Sequence, residues 1–553
     1  MSNVPDVRGG YGLFPKATCL ALLLLVAGKP AFSADSSLVD VAIERGDYPA
    51  AVEMRRQEAR HSGDPASFDA AARLAYDWSQ YSVLTAICGE WLRKDPQSEQ
   101  AHRYLAVAAL ELDQRDTAVR ELDWLLTHVY QSVNVGFDSF GTSLGELRNR
   151  AGLSAVMANL SARHPEAAAG HLQAGDLALA AGDAAQALRE AQRASELGRR
   201  RVGRSLAARA HVIMGDCEQG LALAAPLGTD VHDSDRLTEG WLLEACDRGG
   251  EAEAIFQELS AHSSERASAL EALAGRELET RRNEAAARHY TELAKLGGRE
   301  SAQFGMATVA ERAGDRERAA TLYAGISSGR HAVEAQLRAY RLRLTGAGID
   351  WADRLLDDFL TSNSSLRQDI TVGRILALAD VGQTERALAL ASRVERAYPD
   401  VEEFERAHAE VLVRAGRTDD AITRLERLLA ARPHDPAALN ALGYTLAEAG
   451  RDLRRAEKLL VAAVAQAPDN AAYLDSLGWL RFQQRDYTAA VGALARAYLL
   501  QPDPEIAAHS VAALDALGDR VKADDLLQSA LDRHPGEQHL VALQHRRRGE
   551  VPR

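Results

Sequence analysis

Gly141-Thr142-Ser143-Leu144-Gly145 is the stretch whose spacing could by itself do chemistry. G-x-S-x-G is the pattern of a nucleophile elbow, where a sharp strand-to-helix turn exposes a serine hydroxyl for acyl transfer. That chemistry also needs a sheet, an oxyanion loop, and an acid and a histidine downstream. No strand-like alternation accompanies Ser143, and helical periodicity runs on both sides of it, so the chain reads as a non-enzyme. The 16 histidines show no H-E-x-x-H or other close ligand set, and His164-Pro165 and His534-Pro535 read as helix ends. No metal or cofactor is expected. Beyond Cys19 there are three cysteines, Cys88, Cys217 and Cys246, without metal spacing. They allow at most one disulfide, and small buried hydrophobes are the favoured reading. Asp419-Asp420 and Asp524-Asp525 read as solvated outer faces of helices.

The remaining side chains with reach are aromatic and polar, and they recur with the chain's period. Leu439-Asn440-Ala441-Leu442-Gly443-Tyr444 is followed 35 residues later by Leu474-Asp475-Ser476-Leu477-Gly478-Trp479. Pro399, Pro433, Pro468, Pro502 and Pro535 are spaced 34, 35, 34 and 33 residues apart, and Ala387, Ala421, Ala456, Ala490 and Ala523 keep the same steps. Two residue types locked to one period mark stacked helix-turn-helix units. Gly443 and Gly478 let the second helix of a unit come close, and Ala456 and Ala490 do the same from the other side. Leu460 and Leu494 fill the space between, while Ala463 and Ala497 meet the next unit. The prolines end each second helix, since proline lacks an N–H and restricts the residue before it.

This resembles the tetratricopeptide pattern W-x2-L-G-x2-Y…A-x3-F…A…P, with leucine for the first aromatic. A fainter Gly-x4-Ala signature extends it backwards through Gly46/Ala51, Gly182/Ala187, Gly249/Ala254, Gly314/Ala319, Gly382/Ala387, Gly416/Ala421 and Gly518/Ala523. The expectation is an all-α, right-handed superhelical solenoid of about 14–15 units. Within it, 34–165 are N-terminal units, 166–365 degenerate units, 366–535 well-defined units and 536–553 a C-terminal tail. A solenoid of this kind offers a concave surface lined by the first helix of each unit. Asn440, Tyr444, Glu448, Asp475, Trp479 and Phe482 would face it as binding anchors; packing of Trp479 against its neighbouring unit is the alternative.

Composition agrees. The chain is 46% apolar but only 5% aromatic, the profile of long helices with thin alanine-lined interfaces. Its net charge of −14 and lack of a basic stripe argue against a nucleic-acid partner, and Arg546-Arg547-Arg548 reads as a solvated helix end. At the start, Arg8 and Lys16 precede an apolar run from Ala17 to Gly28, and Ala31-Phe32-Ser33 is a small-x-small cleavage site. About 12 apolar residues suit a signal segment rather than a membrane span. Residues 1–33 are therefore expected to be removed, the remainder to be periplasmic, and no transmembrane segment to follow. Cys19 lies at the head of the apolar run, not at its end, so a lipid anchor is not expected.

Three passages carry a closer resemblance: Glu44-Arg45-Gly46-Asp47-Tyr48-Pro49-Ala50-Ala51, the segment Ala307–Tyr323 around Gly314-Asp315, and Ala472–Trp479 followed by Asp503-Pro504-Glu505-Ile506-Ala507-Ala508-His509. They look like the tetratricopeptide adaptor lipoproteins of periplasmic carboxyl-terminal processing proteases. The resemblance implies protein partners: a serine protease that the solenoid wraps and activates, and envelope substrates such as peptidoglycan hydrolases that it delivers. The chain departs from those adaptors in having no lipobox, so outer-membrane association would come through a partner. A scaffold for exopolysaccharide synthesis or export is the alternative.

Overall fold

The computed structural model of the chain describes residues 38–44, 47–143, 150–225, 232–344, 348–363, 366–398, 401–468, 470–533 and 538–548. Among these residues there are 31 α-helices and no strand. They run as fifteen consecutive hairpins, from Leu38–Glu44 with Tyr48–Ser62 to Pro504–Leu517 with Arg520–Arg533, and close on a last helix, Gln538–Arg548. Most helices pack on their chain neighbours, and in many successive hairpins the first helices also touch, as Pro436–Glu448 does Ala471–Gln483. The architecture is an all-α repeat solenoid. No described helix is long and apolar enough to cross a membrane. The expected signal segment, residues 1–33, lies outside the described residues.

Helix starts follow from local chemistry. Asp183, Asp216, Asp315, Asp452 and Asp486 each cap a second helix by accepting a backbone N–H of its first turn, and Asp64, Asp435 and Asp503 cap helices that begin with proline. Such a cap contributes about 1 kcal/mol. The tight turn within a hairpin needs a residue in the left-handed region, five positions before a buried contact. Gly182, Gly314, Gly382, Gly416 and Gly518 fill that slot, and the alanine five residues after each is fully buried.

In five other hairpins the slot holds Ser79, Asp113, Asp247, Arg281 or Arg485, all at positive φ. Leu84, Ala118, Ala252, Ala286 and Ala490 follow at the same offset with no exposed surface. A side chain there costs about 1–2 kcal/mol relative to glycine, which packing of the two helices offsets. This corrects the pair Gly249/Ala254: Gly249 lies inside a helix, Ala254 is exposed, and the true pair is Asp247/Ala252. Gly46 lies outside the described residues, but Ala51 is fully buried.

The close helix contacts stand where the repeat pattern put them. A Cβ on Gly443 would meet Leu460 Cγ at 2.7 Å, and one on Gly478 would meet Leu494 Cγ at 2.6 Å. Ala421, Ala456 and Ala490 have no exposed surface, nor have Ala463 and Ala497. Pro433, Pro468 and Pro502 lie in the connectors that follow second helices, while Pro399 and Pro535 lie outside the described residues. The weak-signal middle keeps the same alternation of first and second helices, Arg200–Ile213, Cys217–Ala224, Asp233–Ala245, Gly249–His262, Arg266–Glu279 and Asn283–Lys295, with Cys217–Ala224 shortened to 8 residues. Residues 538–548, expected as a tail, form a helix with Leu540 fully buried, and Arg547 pairs with Asp515 and Asp524.

Histidines serve as braces. His102 Nδ1 lies 2.6 Å from Glu121 and its Nε2 3.1 Å from the Pro96 carbonyl; two units later His171 repeats both contacts with Glu190 and Pro165. The cysteine reading needs correcting. Cys217, which opens a second helix, is disulfide-bonded to Cys246 at the end of the next first helix, with Cα atoms 5.9 Å apart. Their separation of 29 residues is close to one repeat, the spacing at which helix ends of adjacent units meet. Cys88 is buried and unpaired, as expected for a small hydrophobe.

The solenoid also touches itself at long range. Tyr48 stacks on Trp78 at 3.5 Å, and Tyr398 lies 5.9 Å from the first ring and 6.2 Å from the second. Arg367 covers Trp78 at 4.4 Å. The first two hairpins thus close against the eleventh.

Candidate functional site

Five of the six residues expected on the concave face meet in one cluster, and Asn440 sits one helical turn before Tyr444 on the same helix. The cluster spans the first helices of three successive hairpins, Pro436–Glu448, Ala471–Gln483 and Pro504–Leu517. Trp479 is its centre. Its ring stacks on Phe482 with centroids 4.8 Å apart and on His509 at 4.3 Å, and its indole N–H donates to Glu448 of the preceding unit. Trp479 is therefore half-buried and fastened to both neighbouring units, the packing described by the alternative reading, with part of its ring still exposed.

Asp475 differs from expectation. It is buried, and both carboxylate oxygens contact His509 Nδ1, at 2.9 and 3.1 Å. It orients His509 rather than presenting an open carboxylate. Burial opposes charge on His509, but the hydrogen bond to Asp475 and the nearby Glu505 and Glu448 prevail, so its pKa is raised. Tyr444 donates to Glu505 at 3.3 Å, across two units, and lies 6.4 Å from the His509 ring. That reach requires the array to curl toward its first helices, which makes this face concave. The Tyr444 phenol is pushed up by burial and by Glu505, Glu448 and Asp475 around it.

The acidic field extends further back. The Glu410 side chain is partly exposed, yet its pKa is raised: the protein packed around it acts first, Arg414 opposes it, and Glu505 and Asp380 add to it. Beside Trp479 an open cleft of about 240 Å³ is walled by Ala508, Ala512, Ala542 and Leu543, with His509 and Arg546 completing it. Sequence reasoning missed His509 and Glu505. The signal was present, since His509 falls 34 residues after Asp475 and occupies the same slot one unit on.

The G-x-S-x-G stretch falls at a helix end. Gly141, Thr142 and Ser143 end the helix Val133–Ser143, and Leu144 and Gly145 lie outside the described residues. The backbone through Ser143 is helical, not the end of a strand. Among the described residues no group of three acidic, histidine or cysteine side chains is placed to hold a metal.

Residues 406–452 and 449–505 match the family model of the tetratricopeptide repeat. The chain is similar to the TPR repeat-containing protein PA4667 of Pseudomonas aeruginosa, 29% identical over 214 residues, 38% of this chain and 36% of that protein. It is also similar to the mouse protein O-mannosyl-transferase TMTC1, 26% identical over 159 residues, 28% of this chain and 17% of that protein. The match thus spans little more than a third, or less, of these relatives' length. Among solved structures, TTC0263 of Thermus thermophilus, a thermophilic TPR protein, is 20% identical with a TM-score of 0.30, covering 32% of this chain and 96% of that one. The APC/C hetero-tetramer Cut9–Hcn1 is 15% identical with a TM-score of 0.30, covering 92% of this chain and 96% of that one.

Proposed function

We propose that this tetratricopeptide-repeat protein is a non-catalytic periplasmic adaptor that binds a carboxyl-terminal processing serine protease and brings envelope substrates, such as peptidoglycan hydrolases, to it. The observation that carries the binding role is the cluster of Tyr444, Trp479, Phe482 and His509 on one concave face. Partly exposed aromatic rings held rigid by neighbouring units lose little entropy on contact, which is what a binding hot spot requires. Protein partners follow from the fold. The protease as partner rests on the three passages that resemble its adaptors. Export is supported by the charged and apolar start of the chain and by the Cys217–Cys246 disulfide, a bond that persists in oxidising compartments.

The test is reconstitution. The mature protein is mixed with the processing protease of its own organism, and complex formation and cleavage of an envelope substrate are measured. Binding with stimulated cleavage is the expected result, and Ser143→Ala leaves it unchanged. A folded protein that neither binds nor stimulates the protease overturns the adaptor reading, and capture of an exopolysaccharide export component in its place would favour the scaffold alternative.

A further inference from the structure

The face that holds Trp479 is unevenly charged, and the imbalance says what kind of segment fits it. Glu448 and Glu505 are exposed on either side of the aromatic stack, and Glu410 and Asp380 continue the acidic strip along the same row of first helices. Arg414 pairs with Asp380 and Glu410 and offsets that end of the strip, and His509 is held by Asp475. Glu448 and Glu505 accept from Trp479 and Tyr444, neutral donors that leave both carboxylates negative, and with Asp475 they outnumber the single imidazole of His509 among them. Next to them lies the cleft of about 240 Å³ walled by Trp479, Ala508, Ala512, Ala542 and Leu543. Arg546, on the last helix, lines the same cleft together with His509.

We infer that this groove takes an extended, basic polypeptide segment, with lysine or arginine side chains against Glu448 and Glu505 and an apolar side chain in the cleft beside Trp479. Charge complementarity selects the occupant. An acidic segment meets an excess of carboxylates, whereas a cationic one relieves their mutual repulsion. The rigid aromatic wall and the cleft supply the apolar contact that charge alone lacks, which fixes the register of the bound chain. The inference rests on the adaptor reading in one respect: it describes what the same concave face captures.

The probe is a short peptide of alternating lysine and leucine, with glutamine and glutamate analogues in place of lysine, titrated against the full mature chain by fluorescence anisotropy. The lysine peptide is expected to bind about tenfold tighter than the glutamine peptide, to weaken as salt rises, and to outcompete the glutamate peptide. Glu448→Gln with Glu505→Gln keeps both hydrogen-bond acceptors and should lower affinity for the lysine peptide about tenfold, with an unchanged circular dichroism melt. Equal or better binding of the glutamine or glutamate peptide overturns the inference, as does unchanged affinity in the folded double variant. If the protease binds the chain while the lysine peptide does not, this inference falls and the adaptor reading stands. If the peptide binds and the protease does not, the groove assignment stands and the adaptor reading falls.

Discussion

The guanidinium of Arg367 lies 4.4 Å over the indole of Trp78, nine hairpins away along the solenoid. Tyr48 covers another part of the same indole and Tyr398 completes the group, so one cation and three rings join the start of the array to its eleventh unit. Since each hairpin packs mainly on its neighbours, this contact sets overall shape rather than local folding. A cation–π contact of this kind is worth about 0.5–2 kcal/mol. Trp78→Ala or Arg367→Ala should therefore enlarge the maximum dimension seen by small-angle scattering and leave the helical signal intact. Scattering curves that superpose on wild type would show that the array holds its shape without this contact.

Asp77, beside Trp78, makes that junction sensitive to pH. Burial raises its pKa to about 6, and the opposing Arg73 and Arg367 do not restore the ordinary value. A carboxyl whose folded pKa exceeds its unfolded one stabilises the fold when protonated. That stability is complete below about pH 4 and is lost as pH rises through about 6. A shift of this size corresponds to at most about 3 kcal/mol. Asp77→Asn should remove this step, so the variant melts higher than wild type at neutral pH and no differently at pH 4. A variant that melts lower at both pH values would show that the carboxylate is stabilised by its arginines.

The alanine ladder predicts where bulk is refused. Ala456 has no exposed surface and lies beside the Gly443–Leu460 contact, whereas Lys458 two residues later is exposed. Ala456→Leu should cost about 1–3 kcal/mol through overpacking, and Lys458→Leu less than about 0.5 kcal/mol. Urea denaturation of the two variants compares them directly, and equal losses would mean that the helix interface tolerates volume at this position.

The Cys217–Cys246 bond closes a 29-residue loop across two units. Chain-entropy arguments give such a crosslink about 3–4 kcal/mol. Cys217→Ser with Cys246→Ser should raise amide exchange in helices Arg200–Ile213 through Gly249–His262 and spare the C-terminal units, because damage in a repeat array stays near its source. Uniform exchange across the chain in both forms would show that the bond adds nothing to native stability.

These features were not equally visible in the sequence. Gly443 and Gly478 announce their contacts by residue type, because only glycine admits Leu460 and Leu494 so closely. The turns at Asp247, Arg281 and Arg485 were hidden, since nothing in the residue type reports that packing holds it in the left-handed region. His509 could have been found by adding one period to Asp475. The meeting of Trp78 with Arg367 could not: it depends on small rotations accumulated over nine hairpins, none of them encoded in any one repeat.

Trp479 carries the last prediction because it joins packing to binding. Trp479→Phe keeps an aromatic ring between Phe482 and His509 and removes the N–H donated to Glu448. Losing that hydrogen bond to a charged acceptor should cost about 1.5–3 kcal/mol if the acceptor is left desolvated, and less here, where Glu448 is exposed. The fold should therefore survive the change with a small drop in melting temperature. Trp479→Ala with Phe482→Ala removes the whole stack and should weaken partner capture by about 2–4 kcal/mol, as hot-spot truncations do. Because the stack also braces two units, some loss of stability in the C-terminal hairpins should accompany it. Surface plasmon resonance with immobilised partner, run beside urea denaturation, separates the two effects. Capture that weakens in both variants, more steeply than stability falls, identifies Trp479 as a binding anchor. Stability that falls with undiminished capture by the folded fraction would leave it a strut between units.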